Sequence, residues 1–157
     1  MKINIVSTKG EDFNAVNVIV KEGQDQHAEA LPKIFKKVEQ VMLESYFQQL
    51  LAESNCDILI AKENQTVIGF AVVEIKKSPA FESMVERKYA YINDFGVKSN
   101  YKRGGVGTAL FNACVEWSKE KGAQSLELNV WEFNEQAISF YERFGMKTMS
   151  RKMTLNL

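Results

Sequence analysis

The chain has 157 residues, of which 45% are apolar and 25% are charged. These fractions are typical of soluble globular proteins, and the length is sufficient for a single domain, residues 1–157, with its own buried core. The 20 Lys and Arg residues balance the 20 Asp and Glu residues. No overall basic field therefore indicates nucleic acid or an anionic membrane as a partner.

Two cysteines, Cys56 and Cys114, are too few to form a disulfide framework. Cys114 falls on the apolar side of a predicted helix, where a thiol behaves as a small hydrophobic side chain. The sequence has neither a signal-peptide pattern nor an apolar run of about 18 residues that could span a bilayer. We therefore expect a cytoplasmic protein with reduced thiols, and no metal site is expected.

The chain is predicted to begin with a strand, because apolar residues alternate over residues 1–7. Thr8 and, three residues later, Glu11 have the spacing of a capping box, which opens a helix. Phe13 and further apolar residues then recur at helical spacing, and Gly23 is expected to end this helix.

An irregular stretch is predicted over residues 24–37, which Pro32 interrupts. Helical spacing resumes at Val38 and continues to about Ser54. Residues 56–62 and 67–77 then read as two strands of a hairpin.

A loop over residues 78–86 is predicted to lead into a long strand over residues 87–97. After a glycine-rich turn, the clearest helix of the chain is predicted to end at Gly122. Its apolar stripe consists of Val106, Ala109, Leu110, Ala113, Cys114 and Trp117.

A further strand is predicted over residues 125–131, followed by a short helix that Asn134 caps and Gly145 ends. Residues 146–157 are predicted to return as one strand or a pair. Strands joined first by hairpins and later by helices predict a mixed sheet with helices on both faces.

The glycine-rich turn, residues 98–110, is the most informative feature of the sequence. Successive glycines allow backbone N–H groups to converge on an anion, and the following helix adds the positive end of its dipole. Lys102 and Arg103 add full charges. The turn is not a dinucleotide fingerprint, because Leu110 stands where the third glycine is required, and the chain has no Gly-Lys-Ser/Thr sequence of a P-loop.

Two segments carry a resemblance to a known family. Residues 94–110 read DFGVKSNYKRGGVGTAL, and residues 128–146 read LNVWEFNEQAISFYERFGM. In this order and at this spacing, they resemble the GNAT family of N-acetyltransferases. The resemblance implies an α+β fold, in which about four helices flank a central, largely antiparallel sheet of six or seven strands.

The resemblance also implies acetyl-CoA as the co-substrate, without a metal. Its diphosphate would be bound by the backbone N–H groups of Arg103, Gly104, Gly105, Gly107 and Thr108. Lys102 supplies the charge where the family usually has Arg or Gln. The pantetheine arm would pair with the strand segment Phe95, Gly96 and Val97, where Gly96 permits close approach. Asn134 would contact this arm as well as cap its helix.

Tyr141 resembles the family's general acid, which protonates the departing CoA thiolate. A phenol has an ordinary pKa of about 10 and therefore keeps its proton at neutral pH. From the residues alone, without the resemblance, Tyr141 reads as a core aromatic on a helical stripe.

The acceptor amine must lose a proton before it attacks, because an amine with a lysine-like pKa is almost fully protonated at pH 7. Asp94, beside the strand that contacts the co-substrate, is the best candidate for the base. Glu74, Glu132 and a bound water are alternatives, while His27, the only histidine, is expected to be a surface residue.

Residues 91–95 and 130–135 resemble the diamine and polyamine acetyltransferases more narrowly. Those enzymes have a glutamate where this chain has Asn93, and an amide cannot accept a proton from an ammonium group. Polyamines stay one option for the acceptor, with Asp94 or a water as the base. No appended peptide- or nucleic-acid-binding segment is visible, so the expected acceptor is a small-molecule amine, which the sequence does not identify, attacked directly in a ternary complex. A protein N-terminus or lysine as acceptor, and a non-catalytic acyl-CoA-binding module, are the alternatives. The family resemblance further implies a homodimer.

Overall fold

The computed structural model describes residues 1–157 and is organised around a five-stranded sheet. Its strands are β1 (Asn4–Ser7), β2 (Cys56–Glu63), β3 (Thr66–Lys77), β4 (Lys88–Val97) and β5 (Leu126–Leu128). They lie side by side in chain order. The first four are antiparallel, whereas β5 runs parallel to β4.

Four helices cover the two faces of this sheet: α1 (Phe13–Ala30), α2 (Glu44–Ala52), α3 (Val106–Glu120) and α4 (Glu135–Arg143). Helices α1 and α2 bury one face, and α3 and α4 bury the other. Because both faces are covered, residues 67–73 of β3 are all buried. The predicted α+β architecture, with helices on both faces of a mixed sheet, is confirmed.

The two faces carry separate hydrophobic cores. The core under α1 and α2 includes Val16, Phe47, Ile58, Phe70 and Val72. The core under α3 and α4 includes Leu59, Val73, Ile92, Leu110 and Cys114. The position of Cys114 in this core confirms that its thiol is a buried packing group, and burial raises its pKa to about 12.

A bulge in β4 determines which side chains reach which face. Val72 is in register with Asp94 and Val73 with Ile92, so that Asn93 is the extra residue. Side chains on a strand normally alternate between the faces, and the extra residue reverses the order after it. Asp94 therefore shares the α1–α2 face with Tyr91, and Phe95 shares the other face with Ile92.

Helix α1 differs from the prediction, because it continues through Gly23 to Ala30. Gly23 has open space around its Cα, and a single glycine lowers helix stability without ending a helix whose other residues are packed. The helix ends just before Pro32, as the steric restriction on residues that precede proline requires. The capping box is also wrong, because the Thr8 hydroxyl donates to Asp12 instead of pairing with Glu11.

Two further elements are shorter than predicted. Helix α2 begins at Glu44, so that residues 38–43 are irregular despite their helical spacing. Strand β5 has three residues instead of seven, because the chain turns away from β4 after Leu128.

Residues 146–157 form no strand, and this corrects the expected count of six or seven strands to five. Residues 147–157 make no backbone hydrogen bond with the rest of the chain. Met149, Met153 and Leu155 have exposed fractions of 74%, 84% and 83%. We call residues 146–157 the C-terminal arm.

Candidate active site

The glycine turn joins the end of β4 to α3 in an unusual backbone conformation. A short 3₁₀ turn over Ser99–Tyr101 is followed by two residues with left-handed backbone angles, Arg103 (φ 68°) and Gly105 (φ 86°). Helix α3 begins directly afterwards at Val106, and no side chain caps its first turn. The first N–H groups of a helix have no partner inside it, so these donors are available to a ligand.

The surroundings of these donors favour an anion. Lys102, Arg103, Gly104, Gly105 and Thr108 are all exposed, and two of them carry a full positive charge. Arg103 adopts the left-handed region, which costs a residue with a Cβ about 1–2 kcal/mol. Helix dipole, free amides and basic side chains together favour the binding of an anion at this turn.

Two of the predicted glycines are required by packing as well. A Cβ on Gly107 would lie 3.2 Å from Cε1 of Phe140, so this glycine allows α3 and α4 to approach each other. A Cβ on Gly96 would lie 2.9 Å from Cε1 of Phe70 and 3.0 Å from Cγ2 of Ile19. The core under α1, and not only the approach of a ligand, therefore requires glycine at position 96.

Strands β4 and β5 separate next to the glycine turn. Their pairing ends with Ile92 and Leu128, whereas β4 continues to Val97. From Asn93 to Val97, the edge of β4 that faces β5 has no strand partner. Phe95, Gly96 and Val97 all lie along this open edge, where backbone groups can pair with an extended ligand.

Tyr141 lies on the α3–α4 side of this opening. Its ring contacts Phe95, Phe111 and Phe140, with centroid distances of 6.2, 5.9 and 5.3 Å. Burial raises the pKa of the phenol well above its usual range, and the charge of Asp94 acts in the same direction. The raised pKa keeps the hydroxyl protonated at neutral pH. Because the hydroxyl makes no hydrogen bond within the protein, it is free to donate one to a ligand.

Asp94 lies on the α1–α2 side of the opening. One carboxylate oxygen accepts a hydrogen bond of 2.9 Å from the backbone N–H of Phe95. Burial raises the pKa of Asp94, while this hydrogen bond and the charge of His27 oppose the increase. A carboxylate whose pKa is raised in this way is a stronger base than an exposed one.

The other two carboxylates that the sequence suggested are arranged differently. Glu132 is exposed and lies 3.7 Å from the guanidinium of Arg151, which is a surface ion pair. Glu74 is on the same face as Asp94 but is held 3.5 Å from Nζ of Lys76. Of these three carboxylates, the structure therefore brings Asp94 to the opening that also contains Tyr141.

The predicted helix cap at Asn134 is confirmed, because the side-chain oxygen of Asn134 accepts a hydrogen bond of 3.2 Å from the N–H of Ala137. This cap fixes the start of α4, the helix that carries Tyr141.

Sequence reasoning missed two residues of α1. His27 is half buried and not a free surface residue, since its ring packs between those of Phe35 and Phe133. Glu22 accepts hydrogen bonds from the N–H and the hydroxyl of Ser99, which ties α1 to the glycine turn. Ending the helix at Gly23 concealed His27, because it placed this residue in an irregular stretch and not on α1. The contact of Glu22 with Ser99 joins residues 77 positions apart, which no local spacing predicts.

No group of three or more His, Cys, Asp or Glu side chains in the structure is arranged to hold a metal ion. None of the helices has the length and apolar character needed to cross a membrane.

Comparisons with known proteins agree with this geometry. An uncharacterized N-acetyltransferase of Methanocaldococcus jannaschii is 29% identical over 102 residues, which are 65% of this chain and 44% of that protein. The uncharacterized N-acetyltransferase YhfO of Bacillus subtilis is 30% identical over 102 residues, which are 65% of this chain and 66% of that protein. The matched regions are therefore less than two thirds of either relative.

A solved structure of a mutant of a Bacillus halodurans protein superimposes with a TM-score of 0.95 at 26% identity, covering 98% of this chain and 99% of that one. The sequence profile of the Acetyltransferase (GNAT) family matches residues 24–146, which include the glycine turn and Tyr141. The chain therefore belongs to the GNAT acetyltransferase family.

Proposed function

We propose that this protein is an acetyl-CoA-dependent N-acetyltransferase, which acetylates the primary amine of a small molecule by direct attack in a ternary complex. One observation carries the proposal: the uncapped start of α3 and the open edge of β4 meet at the same end of the sheet. The ring of Tyr141 packs on Phe95 of this edge and on Phe111 of α3.

The residues present fit acetyl-CoA. The amides of the glycine turn suit its diphosphate, and the basic side chains of Lys102 and Arg103 suit its negative charge. The open backbone of Phe95, Gly96 and Val97 suits the amide groups of its pantetheine arm. The uncapped helix start supports this assignment, because a helix without a capping side chain leaves donors that need a partner. When bound, acetyl-CoA supplies the activated acetyl group.

Two side chains then handle protons. Asp94 accepts a proton from the attacking amine, for which its raised pKa is an advantage. Tyr141 donates its proton to the leaving sulfur and is available in the protonated form because its pKa is raised. Asn93 is exposed at the bulge and has no group that can accept a proton. The sequence resemblance to polyamine acetyltransferases therefore does not extend to a base at this position.

We also infer a homodimer, in which the C-terminal arm of each copy packs against the other copy. The arm exposes Met149, Met153 and Leu155, and burying such side chains is favourable by about 25 cal/mol per Å². Strand β5, in addition, has no partner on the edge that faces away from β4.

A direct test measures thiol release from acetyl-CoA with a panel of primary amines, together with CoA binding by calorimetry. Turnover of at least one amine is the expected result. Tight CoA binding without turnover on a broad panel would favour a binding module, and lack of CoA binding would refute the proposal.

A further inference from the structure

His27 is held in one orientation by a hydrogen bond within its own helix. Nδ1 of its ring lies 2.6 Å from the backbone oxygen of Gly23. A carbonyl oxygen can only accept, so Nδ1 must carry the proton and donate. The other ring nitrogen, Nε2, then has a free lone pair, and no group of the protein donates to it. This tautomer makes Nε2 a proton acceptor.

Aromatic rings fix the plane of this imidazole. Phe35 and Phe133 both meet it edge to face, at centroid distances of 5.3 Å. Trp131 packs on Phe35 in the same manner at 5.4 Å. We call His27, Phe35, Phe133 and Trp131 the aromatic cluster. It joins α1 to the segment after β5 that leads to Asn134, and thus to the opening between β4 and β5.

Helix α1, which carries His27, packs on the face of the sheet to which Asp94 belongs, because Asp94 is in register with Val72 in the core under α1. The charge of a protonated His27 also lowers the pKa of Asp94. The rings of Phe35 and Phe133, which pack against His27 from the other two segments, carry no charge. His27 therefore shares the acceptor side of the opening with Asp94.

Amide formation removes two protons from the acceptor nitrogen. One leaves when the ammonium ion becomes an amine, and the other leaves after the nitrogen has bonded to carbon. A single carboxylate cannot hold both protons at once. A second acceptor on the side of the opening where Asp94 lies therefore lets both protons leave without an exchange between Asp94 and solvent in the middle of the reaction.

We propose that Nε2 of His27 accepts the first of these protons, so that His27 activates the ammonium ion and Asp94 accepts the second proton. This inference rests on the proposed acetyltransferase function. His27 then releases its proton to solvent. The C–N bond forms, the C–S bond breaks with its electron pair on sulfur, and Tyr141 protonates the sulfur. Asp94 returns its proton to Tyr141, so that one proton per turnover reaches solvent.

The tautomer can be measured without any substrate. Since His27 is the only histidine of the chain, a long-range ¹H–¹⁵N spectrum contains one imidazole. We expect the pattern of a protonated Nδ1 and an unprotonated Nε2 in the neutral form. A protonated Nε2 would overturn the proposal whatever the activity of the enzyme.

The kinetic test compares n-butylamine with its 2,2-difluoro analogue, whose ammonium ion is far more acidic, so that a substantial fraction of it is uncharged at pH 7. His27→Asn keeps a donor near the Gly23 carbonyl but lacks Nε2. With n-butylamine, this variant should lose roughly 100-fold or more in kcat/KM at pH 7, and recover as rising pH deprotonates the amine in solution. With the fluorinated amine, the loss should be less than tenfold.

The exposed neighbour on the same helix provides the control, since Gln26→Ala should match the wild type with both amines. Equal losses of His27→Asn with both amines would indicate a purely structural role and overturn the proposal. A wild type that turns over no amine would instead refute the proposed function itself.

Discussion

The charge of Asp94 acts on the phenol of Tyr141, although the two side chains belong to opposite faces of the sheet. Asp94 is in register with Val72 in the core under α1, whereas Tyr141 packs on Phe95 in the core under α3. They can interact because β4 and β5 separate beyond Ile92. The opening in the sheet therefore joins a base from one side to an acid from the other.

Tyr141→Phe should lower kcat by roughly 10–1000-fold, because it removes the proposed proton donor for the leaving sulfur. Stability should change little, since the hydroxyl has no partner within the protein. Steady-state thiol release and calorimetric CoA binding would measure the two effects separately. Tyr89→Phe, near the opposite end of β4, is the control and should retain full activity.

Asp94→Asn should lower kcat but raise the free energy of unfolding at pH 7. The folded pKa of Asp94 is raised above its ordinary value of 3.8, so the ionised side chain destabilises the fold. Each unit by which folding raises the pKa of Asp94 lowers the free energy of unfolding at pH 7 by about 1.4 kcal/mol. The amide can still accept a hydrogen bond from Phe95.

The pH dependence of unfolding tests whether the charge of Asp94 destabilises the fold. The contribution of Asp94 to wild-type stability is fully present below its unfolded pKa and is lost as pH rises through its folded pKa. The advantage of Asp94→Asn in thermal or urea unfolding should therefore disappear below about pH 4. An advantage that persists at low pH would mean that burial of the charge is not its cause.

Gly105→Ala should weaken CoA binding about tenfold or more. Its φ of 86° strains any residue that has a Cβ, so the turn must shift and its amides no longer converge. Gly122→Ala is a matched control, because Gly122 has a φ of 80° after the other end of α3. Both variants should lose about 1 kcal/mol of stability. Equal CoA affinities of the Gly105→Ala and Gly122→Ala variants would contradict the assignment of the glycine turn as the diphosphate site.

Light scattering should give a mass of twice the 17.9 kDa chain for the wild type. Replacing Met149, Met153 and Leu155 together by lysine should give a folded monomer, because residues 147–157 of the arm make no backbone hydrogen bonds with the rest of their own chain. A monomeric wild type at high micromolar concentration would contradict the inferred dimer.

The sequence predicts the central elements well, because their signals are local. The hairpin of β2 and β3, the stripe of α3 and the cap at Asn134 each depend on spacing within a few residues. The predicted end of α1 is wrong, because Gly23 is tolerated in a helix that packing stabilises from both sides of that residue.

The candidate site divides in the same way. The glycine turn is contiguous in sequence, so its successive glycines before a predicted helix are sufficient to predict free backbone amides. The neighbourhood of His27 depends on three segments that span more than 90 residues along the chain, from α1 to Phe133. No local pattern reports such a contact, and neither does any pattern reveal an extra residue in the middle of a strand.

The extra residue at Asn93 has a consequence for comparing this protein with its relatives. It reverses the alternation of side chains, so that each later position of β4 exchanges the α1–α2 face for the α3–α4 face, or the reverse. A one-residue gap in an alignment at this point would equate Asp94 with a core position. Functional residues can be transferred across this strand only between proteins that both keep the insertion.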